Sequence, residues 1–202
     1  MSEAAFREAI RVRIEREARP VDKFGHQPRL YALARRVGAG HEFDDDVVFA
    51  TVWLHDLGVF VGHRPEDPEQ LARWDNTSYA AAQAPRILKE CGFPEAKIPA
   101  VVDAILTHQP AADPATIEGI IVRDADILEQ LGAIAILRTV SKIGRDTRFS
   151  VFTDAVKSLR RSLETLPSQI RLDTTRALAA PKIRALEAFL AATEEEARPA
   201  LY

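Results

Sequence analysis

The chain has 202 residues, 47% of them hydrophobic and 28% charged, with a formal net charge of -3. That length can bury a proper core within one domain, and the small net charge excludes the broad basic field of a nucleic-acid-polymer binder. A single cysteine, Cys91, excludes an intrachain disulfide.

The stretch from Met1 to Glu8 is acidic early and lacks the apolar region of a signal peptide. No apolar run approaches the ~18 residues of a membrane helix. A cytoplasmic protein without membrane contact is expected. Residues 2–19 are rich in Ala, Glu and Arg, and Phe6, Ile10 and Ile14 recur every fourth position, which predicts a helix with a narrow apolar stripe. Pro20 ends it, and 21–25 link it to a second helix striped by Leu30, Leu33, Ala34 and Val37. Pro28 is tolerated only in a first turn, so His26 stands at or just before that helix's start. Gly38-Ala39-Gly40 closes it, and His41 reads as ordinary surface.

A third helix is predicted over 44–57. Asp44, Asp45 and Asp46 suit its N-terminus, and a nearly unbroken apolar run from Val47 to Leu54 leads to His55-Asp56. Gly58 is placed to close the last turn in a left-handed conformation. A helix apolar all round is buried. A loop over 59–68 carries His63 and Arg64, and one long helix over 69–90 carries Arg73 and Trp74 in its first half.

A helix over 95–108, striped by Ile98, Val101, Val102 and Ile105, brings His108 to the same inward face. The helix over 115–130 is lined by Ile117, Ile120, Ile121, Ala125 and Leu128 and interrupted by Asp124 and Asp126. Gly132 is placed to bend it before 133–140 continues helical. A polar loop over 141–150 precedes the stripe Phe152, Ala155, Val156, Leu159, Leu163 and Leu166. Pro167 interrupts, Pro181 is expected to break or kink the last helical region, and the end from Glu194 onward is expected to be mobile. No strand alternation occurs. The fold class is therefore all-α, as one domain over 1–202 with a core at about 20–140 and a C-terminal helical extension at about 150–196.

Four places on these helices present polar groups inward: His26, His55-Asp56, His108 and Asp124/Asp126. Imidazole with carboxylate suits a divalent ion such as Mn, Fe, Co, Ni, Zn or Mg, and a water bound to such an ion ionises near neutral pH and becomes a nucleophile. Taken alone, His55 and Asp56 are equally a hydrogen-bonded pair capping a buried helix, and His108 is equally a satisfied core histidine. Periodicity places Asp124, rather than Asp126, with the apolar stripe.

The ordered pattern resembles the HD-domain metal-dependent phosphohydrolases, in the manner of small stand-alone bacterial members. It reads His26, then Val52-Trp53-Leu54-His55-Asp56-Leu57-Gly58, then Asp124-Ala125-Asp126-Ile127-Leu128, at intervals of 29 and 70 residues. The resemblance implies an all-helical core with His26, His55, Asp56 and Asp126 as metal ligands. It implies hydrolysis of a small phosphorylated substrate, often a nucleotide, by attack of a metal-bound water. Pyrophosphohydrolysis is the first expectation and monophosphate removal the second. His63 and His108 fall where two-metal members place further histidines, and Ile127 departs from the Arg or Lys that many members carry.

Within that reading, His108 or Asp124 serves the chemistry, and Asp124 could instead orient a histidine. His63, Arg64 and Arg73 are the candidate substrate contacts, since phosphoryl transfer needs cations near the leaving group. For Arg64, Arg73 and Lys142 taken singly, solvated charge is the simpler reading, as core or rim packing is for Trp74. Two rival readings keep the metal: a di-iron cage that uses oxygen, and a non-catalytic module that binds a nucleotide or a partner around a structural ion. The amphipathic C-terminal helices could serve a homodimer, although packing on the core is simpler.

Overall fold

The computed structural model describes residues 3–20, 25–146 and 148–197. Ser2 at the start of the first predicted helix, the link over 21–24 and residues 198–202 lie outside them, whereas 194–197, expected to be mobile, are the last residues of a helix. Ten α-helices and three single turns of 3-10 helix make up the regular structure of the described residues. This is the all-α class expected. The chain divides into two compact units, residues 1–123 and 124–202.

In the first unit, α1 (Glu3–Glu17) buries Phe6, Ile10 and Ile14, and α2 (His26–Val37) buries Leu30, Leu33, Ala34 and Val37. The element between them in the core is α3 (Asp45–Leu54). Every residue from Val47 to Leu54 is buried, as a helix apolar on all faces requires. It packs against α1, α2, α5 (Asn76–Glu90) and α6 (Ile98–Leu106).

The start of α3 is anchored by charge. Asp44 caps it by accepting from the Asp46 N–H at 3.0 Å. Arg7 reaches Asp45 at 2.9 Å and Asp46 at 2.6 Å, and Lys97 reaches Asp46 at 2.8 Å. Burial pushes the Asp46 carboxyl up, but hydrogen bonds from Lys97 and Arg7 outweigh it and hold the group below the usual aspartate range. A carboxyl depressed in the folded state stabilises the fold above its unfolded pKa and loses that contribution as pH falls through the folded value. Asp46→Asn should therefore lower stability by about 1–2 kcal/mol at neutral pH. The difference should shrink as pH falls below about 4. Urea unfolding of both proteins at pH 7 and pH 3 measures this, and an equal difference at both pH values would count against the charge network.

Three boundaries differ from the sequence expectation. The third helix ends at Leu54, so His55 is its cap and Asp56 lies on the turn that follows, before a 3-10 turn at Leu57–Val59. Gly58 is not left-handed, since it is absent from the positive-φ glycines. It is required by close approach instead: a Cβ there would lie 2.6 Å from the Asn76 carbonyl oxygen. The helix expected over 69–90 is two helices, α4 (Pro68–Ala72) and α5, because Asp75 accepts from the Ser78 N–H at 3.0 Å and starts a new one. Residues 95–97 form a 3-10 turn, and α6 stops at Leu106, so His108 follows the helix rather than riding on it.

Helix α7 (Ile117–Glu129) begins in the first unit and ends in the second. In the second unit α8 (Gly132–Val140), α9 (Phe152–Thr165) and α10 (Asp173–Ala197) pack on one another. Gly132 does more than bend the chain. With Leu131 extended and Gly132 at φ +78°, it separates two helices. Pro167 does interrupt, opening a 3-10 turn at Pro167–Gln169. Pro181 lies inside α10 without breaking it, because buried Ala179, Leu186 and Leu190 hold the helix down on both sides. Among the described residues, no helix is long and apolar enough to cross a membrane.

Candidate metal centre

His26 is the first residue of α2, and His55 and Asp56 follow the last residue of α3. These three bring one ligand atom each within 4.8 Å of one another. His26 Nε2 and His55 Nε2 each lie 3.6 Å from Asp56 Oδ2. That separation is too long for a hydrogen bond, but two donors each ~2.1 Å from one ion can stand up to about 4.2 Å apart. The His26 and His55 side chains are almost fully buried, while Asp56 keeps 23% of its side chain exposed.

The tautomer of His55 is fixed by α3 itself. Its Nδ1 lies 2.9 Å from the Val52 carbonyl oxygen, which can only accept, so Nδ1 carries the proton. The lone pair then sits on Nε2, on the Asp56 side. A lone pair and a carboxylate oxygen facing each other call for a cation between them. This donor set of two imidazoles and one carboxylate fits a borderline divalent ion.

His108 is buried, with its ring centroid 4.9 Å from that of His55. Its Nδ1 donates to the Ile105 carbonyl at 2.6 Å, and its Nε2 accepts from the Gln109 side-chain amide at 3.0 Å. His63 is engaged elsewhere: Nδ1 lies 3.0 Å from the Tyr79 hydroxyl and Nε2 3.2 Å from Glu17 Oε2. Arg64 is half-buried and Arg73 exposed, and among the described residues neither guanidinium has a hydrogen bond or ion pair.

In the second unit Asp124 is fully buried, and its carboxylate accepts from the backbone N–H groups of Arg171 and Leu172 at 2.9–3.2 Å. Those residues immediately precede α10, so Asp124 ties that helix to α7. Asp126, one of the less buried residues of α7, accepts from the Gln130 amide at 3.0 Å. Sequence reasoning overlooked Gln109, Gln130, Glu17 and Tyr79. Only Gln130 carried a readable signal, standing four residues beyond Asp126 on a helix.

A model of the HD domain matches residues 24–131, more than half of the chain. The chain belongs to the HD domain family. No curated protein matches it. Among solved structures, YpgQ of Bacillus subtilis in complex with ADP is 22% identical and superposes with a TM-score of 0.73 over 97% of each chain. An HD-superfamily hydrolase from Bacillus thuringiensis is 18% identical, with a TM-score of 0.69 over 96% of this chain and 97% of that one. At such identities the fold is what is shared. HD domains typically bind divalent metal ions, and among the described residues the group that could hold an ion is His26, His55 and Asp56.

Proposed function

We propose that this HD protein is a metal-dependent phosphohydrolase of small phosphorylated metabolites, with nucleotides as its substrate class. The observation that carries the reading is the convergence of His26, His55 and Asp56, with the His55 lone pair set on Nε2 by Val52. Asp126 is the fourth ligand in this reading, because it stands where the family pattern has its second aspartate. A divalent ion held there would polarise the phosphate and ionise a water near neutral pH.

His108 serves as the proton-handling group. Its Nδ1 proton is committed to Ile105, so Nε2, met by Gln109, is where a proton is received. Arg64 and Arg73, unpaired among the described residues, offset the charge of the phosphate groups. Asp124 has a supporting role on α7, since its carboxylate is already taken up by backbone N–H groups. The nucleotide class is supported by the fold shared with YpgQ, whose structure holds ADP.

The test is to purify the protein with Mn, Co or Mg and screen nucleoside mono-, di- and triphosphates for release of phosphate and pyrophosphate. Release of pyrophosphate from triphosphates is the first expectation, and of phosphate from monophosphates the second. No turnover above the Asp126→Ala and His55→Ala proteins with any of the metals would overturn the reading.

A further inference from the structure

The segment after Asp56 is held by more than its own turns. Asp56 itself has left the α3 hydrogen-bond ladder, at φ -94° and ψ 10°, and its side chain is the least buried of the three in the metal group. The turn bonds run Val59 N–H to Asp56 O at 2.9 Å, and His63 and Arg64 N–H to Phe60 O at 3.0 Å. The Gly58 carbonyl accepts from the Trp74 indole N–H at 2.8 Å, and Gly58 lies against the backbone of Asn76.

Trp74 in turn packs on Tyr79, with ring centroids 5.1 Å apart. The Tyr79 hydroxyl meets His63 Nδ1 at 3.0 Å, and His63 Nε2 faces Glu17 Oε2 at 3.2 Å. Glu17 is held at its other oxygen by Arg13 at 3.0 Å. The Glu17 contact is a close approach not aligned as a hydrogen bond, since Glu17 Oε2 has no hydrogen-bond partner among the described residues, and the hydrogen-bonded link in this chain is that between His63 Nδ1 and the Tyr79 hydroxyl. The result is a run of polar and aromatic contacts from the last turn of α1, across the first turn of α5, to a carbonyl two residues beyond Asp56.

We propose that His63 is a positioning residue: the Glu17–His63–Tyr79 chain, passed on through Trp74 to the Gly58 carbonyl, sets where the Asp56 carboxylate stands in the metal group. This rests on the metal reading above. It places His63 behind the ligands instead of among them or against the substrate. Partners that orient a metal ligand through a second interaction commonly change affinity by about 10–100-fold when removed.

The experiment titrates manganese into the full-length wild type, Tyr79→Phe, His63→Asn, the double variant and His55→Ala. Free ion is followed by its paramagnetic resonance signal, and metal-free thermal unfolding is recorded alongside. Tyr79→Phe deletes one hydroxyl and leaves the ring packing in place. It should weaken manganese binding about tenfold at unchanged stoichiometry. His63→Asn should do the same, and the double variant should be no weaker than the worse single, because either change breaks the one chain. Wild-type affinity in both single variants overturns the proposal, whether or not the metal-free protein melts earlier. Loss of a whole ion per chain in His63→Asn also overturns it, by making His63 a ligand. If the wild type takes up no manganese, or His55→Ala takes up as much, the metal reading itself has failed and this proposal falls with it.

Discussion

Replacing His55 by alanine should leave the helices in place and remove the bound metal and the hydrolysis together. His55 is 1% exposed and caps α3, so truncation opens a small void and should destabilise the metal-free protein by about 1–3 kcal/mol. The larger effect is on the ion. A ligand that binds only the folded state adds RT ln(1 + [L]/Kd) to stability, about 2.7 kcal/mol at a hundredfold excess over Kd. Wild type should show that increment with its metal and His55→Ala should show none. Elemental analysis of both proteins, with thermal unfolding at several metal concentrations, separates the two effects. Equal metal content in the two would remove His55 from the site. His55→Gln, which keeps most of the volume, should recover the metal-free stability and not the ion.

Gly58→Ala should damage fold and site through a single methyl group. The added carbon would lie 2.6 Å from the Asn76 carbonyl oxygen and 2.7 Å from Asn76 Cα. These are backbone atoms at the start of α5, so no rotamer change relieves the contact, and the Leu57–Val59 turn or the first turn of α5 has to move. Overpacking of this kind costs about 1–3 kcal/mol. Asp56 is two residues upstream, so the displacement should also weaken metal binding, whereas an ordinary core defect would lower stability alone. A shifted denaturation midpoint with unchanged manganese affinity would show that the turn and the carboxylate are uncoupled.

Much of this architecture is legible in the residues themselves. The α3 run is readable because burial on every side leaves apolar side chains, with Thr51 the exception, between the acids of its first turn and the His-Asp pair. For the same reason its end is not readable: where nearly every residue is apolar, periodicity cannot tell a last α-turn from the 3-10 turn at Leu57–Val59. The break between α4 and α5 carried a signal in Asp75 and Ser78, a short cap three residues apart, hidden inside a run of helix-compatible residues. Asp124 was placed on the inward side of α7 by periodicity, and it is buried there. Its partners at Arg171 and Leu172 are far along the chain, and no local pattern encodes them. The contacts of His63 with Glu17 and Tyr79 are of the same kind. Of the metal group, the resemblance to the HD pattern suggested the members, while the convergence of His26 on His55 and Asp56 exists only in three dimensions.

Helix α4 buries none of its residues. It stands between Arg64 and Arg73, the two arginines proposed to meet the phosphates, and it adds nothing to the core that α3 occupies. In that proposal the helix nearest the phosphate contacts lies outside the packed core. Its exposed side chains can be substituted without opening the core, but its length is tied to the site, because the Trp74 N–H bonds the Leu71 carbonyl and the Trp74 indole bonds the Gly58 carbonyl. Surface and core in this stretch are thus joined through Trp74, so variation on the exposed face of Pro68–Ala72 should leave thermal stability unchanged where variation at Trp74 should not.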